Sequence, residues 1–207
     1  LTPALTIQDY SFSADEKKLL LVTNVESIYR HSFTATYYVY DIATKKLREL
    51  SANGKQQYAM FSPDGSRVAF VRKNNLFYIN LSDYSEIQVT DDGKFNHIIN
   101  GTTDWVYEEE FGFVNGFYWA PDGNKIAYYR FDESAVQEYN LQQWGSTPYP
   151  TDYRFKYPKA GAENSTVEIW IYDLPSKKKV KADIGSEKDI YIPRVCWTAD
   201  PNVLSIR

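Results

Sequence analysis

The sequence predicts an all-β fold, and three observations support this prediction. Short stretches in which apolar and polar residues alternate follow one another, separated by turn-rich segments. Aromatic residues, which favour strands, make up 16% of the chain. One hairpin-like segment occurs four times, beginning near Tyr10, Ala59, Phe117 and Val195. With 207 residues, 43% of them hydrophobic, the chain is long enough to bury a sizeable core.

Each of these segments places an aspartate in a turn and continues into a strand of alternating apolar residues. In "SPDGSR" (62–67) and "APDGNK" (120–125), the proline fixes φ and the Asp-Gly pair supplies a turn with a left-handed position. We therefore expect every repeat to open with a tight β-hairpin.

The spacing of the repeats predicts part of a β-propeller. The aromatic residues that mark them, Phe12, Phe61, Trp119 and Trp197, are 49, 58 and 78 residues apart. Four strands per unit at a period of roughly 40 to 50 residues are typical of propeller blades. We predict about three complete four-stranded blades plus part of another, at 1–52, 53–95, 96–190 and 191–207. The alternative is an ordinary β-sandwich with coincidental turns.

The long third interval predicts an insertion into the third unit (96–190). The same unit contains "DWVYEEEF" (104–111), which is expected to be a short helical or irregular segment. Its three successive glutamates form either a solvated charge run or a cation site. Neighbouring helical positions point about 100° apart, so two carboxylates converge only in a distorted turn or at a helix end. If they converge, a primary ammonium with its three N–H donors is a suitable ligand.

Composition and motifs narrow the possible functions. The net charge of −4 gives no electrostatic basis for binding nucleic acid. The sequence contains no G-x-S-x-G nucleophile elbow, P-loop or dinucleotide fingerprint, and His31 and His97 are not in metal-ligand spacing. The single Cys196 excludes an internal disulfide and is expected to be a small buried thiol. We therefore predict no catalytic residue, metal or cofactor in this chain.

Three longer motifs carry a resemblance to a known family. The segments "YRHSFTATYYVYDI", "NGTTDWVYEEEF" with "WAPDG", and "YPKAGAENSTVEIWIYDL" resemble, in this order, the propeller of the dipeptidyl peptidase IV family, in the prolyl oligopeptidase group of serine peptidases. The resemblance runs from about Ile7 to the end of the chain. It implies an eight-bladed propeller that caps an α/β-hydrolase domain, with this chain extending from the second blade to early in the fifth. The Ser-Asp-His triad is then expected beyond Arg207, and this segment alone should be inactive.

The resemblance also implies a substrate site. Glu109 and Glu110 match the glutamates that hold the free α-ammonium of the substrate, and Arg30 matches an arginine that reaches into the same cavity and contacts a substrate carbonyl. Phe111 and Phe113 are both candidates for an aromatic residue that lines this cavity.

The other residues of the glutamate motif are expected to be structural. Asp104 and Glu108 are interpreted as capping or pairing within the insertion, and Trp105 and Tyr107 as packing into the core.

The resemblance predicts that the full-length protein is a serine exopeptidase that releases N-terminal dipeptides, with proline or alanine preferred in the second position. Its partners would be peptides with a free N-terminus, the hydrolase domain of the same polypeptide and, in a homodimer, a second copy. The lack of paired cysteines favours a bacterial protein of the periplasm or of the extracellular or membrane-associated space. A tripeptidyl peptidase relative and a non-catalytic propeller that serves as a binding module remain the alternatives.

Overall fold

The computed structural model describes residues 5–207 and consists of small antiparallel sheets and one short helix. Residues 1–4 of the first predicted unit lie outside the described part of the chain. Two four-stranded sheets, one five-stranded sheet and one two-stranded sheet follow each other along the chain, with a separate hairpin inserted into the third. The all-β, partial-propeller prediction is therefore confirmed.

The first two sheets have the same up-and-down strand order. The first contains β1 (Ile7–Phe12), β2 (Lys18–Ser27), β3 (Phe33–Asp41) and β4 (Lys46–Glu49). The second contains β5 (Gln57–Phe61), β6 (Arg67–Arg72), β7 (Asn75–Asn80) and β8 (Glu86–Gln88). Each strand pairs antiparallel with the next, as expected for a propeller blade.

The third sheet is the largest and carries the insertions. Its strands are β9 (Ile98–Asn100), β10 (Phe117–Trp119), β11 (Lys125–Asp132), β14 (Thr166–Asp173) and β15 (Lys178–Lys181). Helix α1 (Trp105–Phe111) precedes β10, and β12 (Glu138–Gln143) and β13 (Thr151–Lys156) form a hairpin between β11 and β14, which we call the arm. The chain then continues into the two-stranded sheet of β16 (Val195–Trp197) and β17 (Leu204–Ile206).

The predicted hairpins form at all four repeats, and the turn residues explain them. In two of the repeats Gly65 and Gly123 take the left-handed position, with φ of 65° and 71°. Glu16 occupies the corresponding turn of the first repeat with φ of 56°, so the backbone there is held by tertiary structure at a non-glycine residue. In the second repeat, the Ser62 amide donates to the Arg67 carbonyl and closes the turn.

The core lies between successive sheets, because the central strands are buried on both faces. In β6, Val68 and Phe70 pack towards the first sheet, while Ala69 and Val71 pack towards the third. In β11, Tyr128 and its neighbour Ile126 face the second sheet. This double burial explains why the strands read as continuous apolar runs such as "RVAFVR". The second sheet therefore lies between the first and the third, as successive propeller blades do.

The sheets occupy 7–49, 57–88, 98–181 and 195–206. The division of the chain into four units at the sequence-based boundaries stays a prediction. The expectation of a buried Cys196 is wrong: its side chain is exposed, because in the two-stranded sheet it points away from the face that carries Val195. Within residues 5–207 no helix has the length and apolar character needed to cross a membrane.

Candidate functional site

Three connections between strands meet at one edge of the sheets. In an up-and-down sheet, the connection from the second to the third strand leaves the same edge as the segment that enters the first strand. Three segments leave or enter the sheets at this edge: the 28–32 loop between β2 and β3, helix α1 before β10, and the arm between β11 and β14. By contrast, the corresponding turn between β6 and β7 contains only Lys73 and Asn74.

Local sequence explains why α1 forms inside a β-protein. Asp104 is the N-cap, and its Oδ1 accepts a hydrogen bond from the Tyr107 amide at 2.9 Å. Gly112 ends the helix in the left-handed conformation, with φ of 70°. Tyr107 is only 2% exposed, and its hydroxyl oxygen accepts a hydrogen bond from the Ile192 amide at 2.7 Å. The predicted capping role of Asp104 and the predicted packing of Tyr107 are therefore confirmed.

Glu108 links α1 to the first sheet. Its side chain is buried, and its Oε1 accepts hydrogen bonds from the amides of His31 at 2.7 Å and Ser32 at 2.9 Å. The expectation that Glu108 pairs within the insertion is wrong. A buried carboxylate needs donors, and the 28–32 loop supplies backbone amides that no strand partner uses. Glu108 thus holds in place the loop that carries Arg30.

Arg30 and Glu109 form an ion pair across the two connections. The Arg30 Nε lies 3.0 Å from Glu109 Oε2 and 3.2 Å from Oε1. The Arg30 side chain is 71% exposed, and that of Glu109 is 18% exposed. An exposed ion pair contributes little to the free energy of folding. The Arg30–Glu109 pair therefore matters for its geometry. It brings together two residues that are 79 positions apart in the sequence.

Glu110 is exposed and makes no ion pair or side-chain hydrogen bond among residues 5–207. It borders an open depression of about 1160 Å³ between α1, the 157–166 segment and the 187–191 segment. Phe111 also lines this depression and packs against Tyr191, with ring centroids 5.5 Å apart. Phe113 packs towards Tyr129 of the third sheet instead, at 5.6 Å. The two phenylalanines therefore face different surroundings, and a role for either in lining a substrate cavity stays a prediction.

The 28–32 loop is held by further residues that the sequence did not identify. The Tyr58 hydroxyl oxygen accepts a hydrogen bond from the amide of Phe33, just after the loop, at 3.3 Å. Tyr58 has a φ of 53° at a bulge in β5, an unusual conformation for a tyrosine. From the arm, the Tyr153 hydroxyl donates to the Ile28 carbonyl at 3.3 Å. The only sequence signal for the arm residues is the alternation in "YRFKY", which indicates that one face of a strand is aromatic.

Two buried acids lie behind the exposed glutamates. Burial raises the pKa of Asp104 above its ordinary value, and hydrogen bonds from Ser165 and the Tyr107 amide act in the opposite direction. Burial, followed by the negative charge of Asp104, raises the pKa of Glu133 to about 7, and the Lys156 ammonium opposes this shift. Glu133 is 6% exposed. The interior beneath α1 therefore disfavours additional negative charge.

The structure separates the three predicted binding residues into two groups. Glu110 lines the depression, whereas Arg30 and Glu109 pair with each other and are not among the residues that line it. A joint role of the three in binding a cation stays a prediction. No group of three or more His, Cys, Asp or Glu side chains within residues 5–207 is arranged to hold a metal ion.

Comparisons with known proteins identify the family. The model of the dipeptidyl peptidase IV (DPP IV) N-terminal region matches residues 13–207. Proteins named probable dipeptidyl-aminopeptidase B from Emericella nidulans and Podospora anserina are each 38% identical to the chain, over 93% and 89% of its length. The chain spans only 23% and 22% of these two relatives.

A solved structure gives the same result. The crystal structure of Porphyromonas gingivalis dipeptidyl peptidase 4 is 43% identical and superimposes with a TM-score of 0.93, covering 99% of this chain and 29% of that protein. Because similar proteins come from fungi as well as from a bacterium, the bacterial origin stays a prediction. The chain belongs to the dipeptidyl peptidase IV family and forms part of its N-terminal propeller region.

Proposed function

We propose that this chain is the substrate-recognition segment of a serine exopeptidase that releases dipeptides from free N-termini. The observation that carries the proposal is the arrangement of Arg30, Glu109 and Glu110. Arg30 engages Glu109, while Glu110 stands unpaired at the edge of a large depression. Relatives and a solved structure named as dipeptidyl peptidases support the same reaction class.

In this proposal the glutamates bind the α-ammonium of the substrate. An ammonium group offers three N–H donors and one positive charge, and each hydrogen bond to a carboxylate contributes roughly 1.5 to 3 kcal/mol. Arg30 limits the repulsion between the two carboxylates in the empty site and directs its remaining N–H groups towards a substrate carbonyl. Fixing the N-terminus at a set distance from a nucleophile determines how many residues are released.

The nucleophile would come from a hydrolase domain elsewhere in the same polypeptide. The binding energy gained at the ammonium then serves to place the scissile bond, so an N-terminally blocked peptide loses turnover as well as affinity. We further propose that the enzyme acts outside the cytoplasm, where peptides with free N-termini are its substrates, and that proline or alanine is preferred in the second position.

The test uses the full-length protein and a peptide of about ten residues with proline second, together with its N-acetylated counterpart. Mass spectrometry of the products should show loss of the N-terminal dipeptide from the free peptide and almost no loss from the acetylated one. Release of tripeptides would favour the tripeptidyl alternative. Equal cleavage of both peptides would contradict the ammonium site, and no cleavage of either would leave the non-catalytic binding module as the better description.

A further inference from the structure

The base of the arm contacts both halves of the candidate site. Phe155 in β13 is 4% exposed. Its ring lies 5.5 Å from that of Tyr29, the residue before Arg30, and 6.3 Å from that of Trp105, the first residue of α1. These distances are centroid separations at interplanar angles of 50° and 49°, within the range of favourable aromatic contacts. One side chain therefore touches the loop that carries Arg30 and the helix that carries the glutamates.

The contact belongs to a continuous aromatic face of β13. Tyr153 and Phe155 in β13 and Tyr157, directly after it, occupy alternate positions, and their rings lie next to one another on the same side of the hairpin. The Tyr157 ring packs at a tilt of 43° against Trp105, with centroids 4.3 Å apart, and Tyr153 donates a hydrogen bond to the Ile28 carbonyl. Tyr153, at one end of this face, therefore contacts the 28–32 loop, and Tyr157, at the other end, contacts α1. Phe155 lies between them.

We propose that Phe155 is a positioning residue of the ammonium site. Its ring sets the separation of the 28–32 loop from α1, and thereby the arrangement of Arg30 relative to Glu109 and Glu110. This inference rests on the proposed function and adds a residue that does not touch the substrate. The arm is thus part of the site's construction, although its strands pair only with each other.

The geometry explains why the site needs such a residue. The Arg30 side chain is mostly exposed, and its only ion-pair partner within the described part of the chain is Glu109. An exposed pair of this kind does not by itself hold two long side chains in one geometry. The backbone beneath them must do so, and Phe155 packs directly against the residue before Arg30.

The test compares two inhibitors of the full-length enzyme: an Xaa-Pro dipeptide with a free α-amine and its analogue in which hydrogen replaces the amine. Phe155→Leu keeps a buried apolar side chain but removes the ring contacts. We expect it to raise the inhibition constant of the amine inhibitor roughly tenfold, and that of the analogue by a clearly smaller factor, because the analogue keeps only the carbonyl contact of Arg30. Tyr149→Ala is the matched control, because this aromatic residue on the same arm is 82% exposed and should change neither constant.

A second measurement separates positioning from simple loss of folded protein. In a double-mutant cycle, Phe155→Leu and Arg30→Met should be strongly non-additive for the amine inhibitor, because both act on the same arrangement. If Phe155→Leu weakens both inhibitors equally, or adds independently to Arg30→Met, the positioning role is wrong while the proposed function stands. If the unmodified enzyme does not distinguish the two inhibitors, the proposed function fails and this inference fails with it.

Discussion

The connection from the second to the third strand has a different length in each of the three large sheets. In the second sheet it is a two-residue turn, Lys73 and Asn74, with φ of 50° and 60°. In the first sheet it is the 28–32 loop, and in the third it spans 133–165 and contains the arm. The strands that these connections join pair in the same antiparallel way. Arg30 and the arm lie on the two longer connections, and the three glutamates lie on α1.

The difference in connection length explains how the 28–32 loop of the first sheet can contact α1 beside the third sheet. The second sheet lies between the other two, and its short turn leaves the 28–32 loop free to reach α1. The contacts of Glu108 and the Arg30–Glu109 pair therefore join connections that flank the second sheet. Substitutions of residues on the long connections that contact the site should affect substrate binding, and those on the short turn should affect stability alone.

The largest effect is expected for the glutamates of α1. Glu109→Gln and Glu110→Gln each remove a negative charge while preserving shape, and we expect each to lower kcat/KM for a free-amine substrate about 100-fold. Steady-state kinetics of the full-length enzyme measure this. Glu49→Gln, the same change on the exposed strand β4, is the control and should leave kcat/KM unchanged. Near-normal kinetics in both α1 variants would refute the ammonium site.

The next largest effect concerns the link between α1 and the loop. Glu108→Ala leaves the buried amide of Ser32 and the partly buried amide of His31 without their acceptor, so we expect a loss of about 2 to 4 kcal/mol in unfolding free energy and a drop of at least tenfold in kcat/KM. Glu108→Gln keeps one acceptor oxygen, so its unfolding free energy and its kcat/KM should both fall less than those of Glu108→Ala. Thermal unfolding and kinetics on the same samples check this. An alanine variant as stable and active as the unmodified enzyme would show that the link is not needed.

Glu133, at the start of the 133–165 connection, gives a pH-dependent effect. Burial raises its pKa to about 7, so between the ordinary value of 4.5 and pH 7 the folded state binds more protons than the unfolded state. Its contribution to stability is therefore fully present below pH 4.5 and is lost as pH rises through 7. Glu133→Gln cannot ionise, so it should be more stable than the unmodified protein at pH 8 by roughly 2 to 3 kcal/mol.

The comparison of melting temperatures at several pH values tests this prediction. The difference between Glu133→Gln and the unmodified protein should shrink as pH falls towards 4.5. Asp132→Asn, at the neighbouring position, is a suitable control because hydrogen bonds from Ser134 lower the pKa of Asp132 despite its partial burial. That variant should instead be less stable than the unmodified protein at pH 8. A pH-independent difference for Glu133→Gln would contradict the interpretation.

The smallest effect is expected in the short turn of the second sheet. Lys73 has a positive φ, which glycine adopts without strain, so Lys73→Gly should change the unfolding free energy by less than about 1 kcal/mol, in the stabilising direction. Activity should be the same as in the unmodified enzyme, because this turn contributes no residue to the site. Kinetics that differ by more than about twofold would show that the short connection also participates.

The scaffold could be predicted from the sequence because its signals are local. Asp-Gly turns and alternating strands are contained within ten or so residues, so the hairpins at Gly65 and Gly123 follow from turn chemistry. The N-cap role of Asp104 has the same local character. The pairing of Arg30 with Glu109 spans 79 residues, and only the resemblance of the motifs to a known family indicates that the two lie close together.

The rest of the candidate site depends on how distant connections fold onto one another. Nothing local distinguishes Glu108 from Glu109, yet a rotation of one helical position turns Glu108 inwards to the His31 and Ser32 amides. The role of Phe155 likewise depends on the arm folding back onto Tyr29 and Trp105. Cys196 was expected to be buried from its apolar neighbours, but alternation along β16 places it on the exposed face.

A single measurement on the full-length enzyme decides whether α1 and the 28–32 loop form a site for the substrate's α-ammonium. It is the ratio of inhibition constants for an Xaa-Pro dipeptide and its analogue without the amine, determined for the unmodified full-length enzyme and for Glu110→Gln. We expect the unmodified enzyme to prefer the amine by roughly 100-fold or more and Glu110→Gln to lose most of this preference. An unchanged ratio in Glu110→Gln would contradict the account.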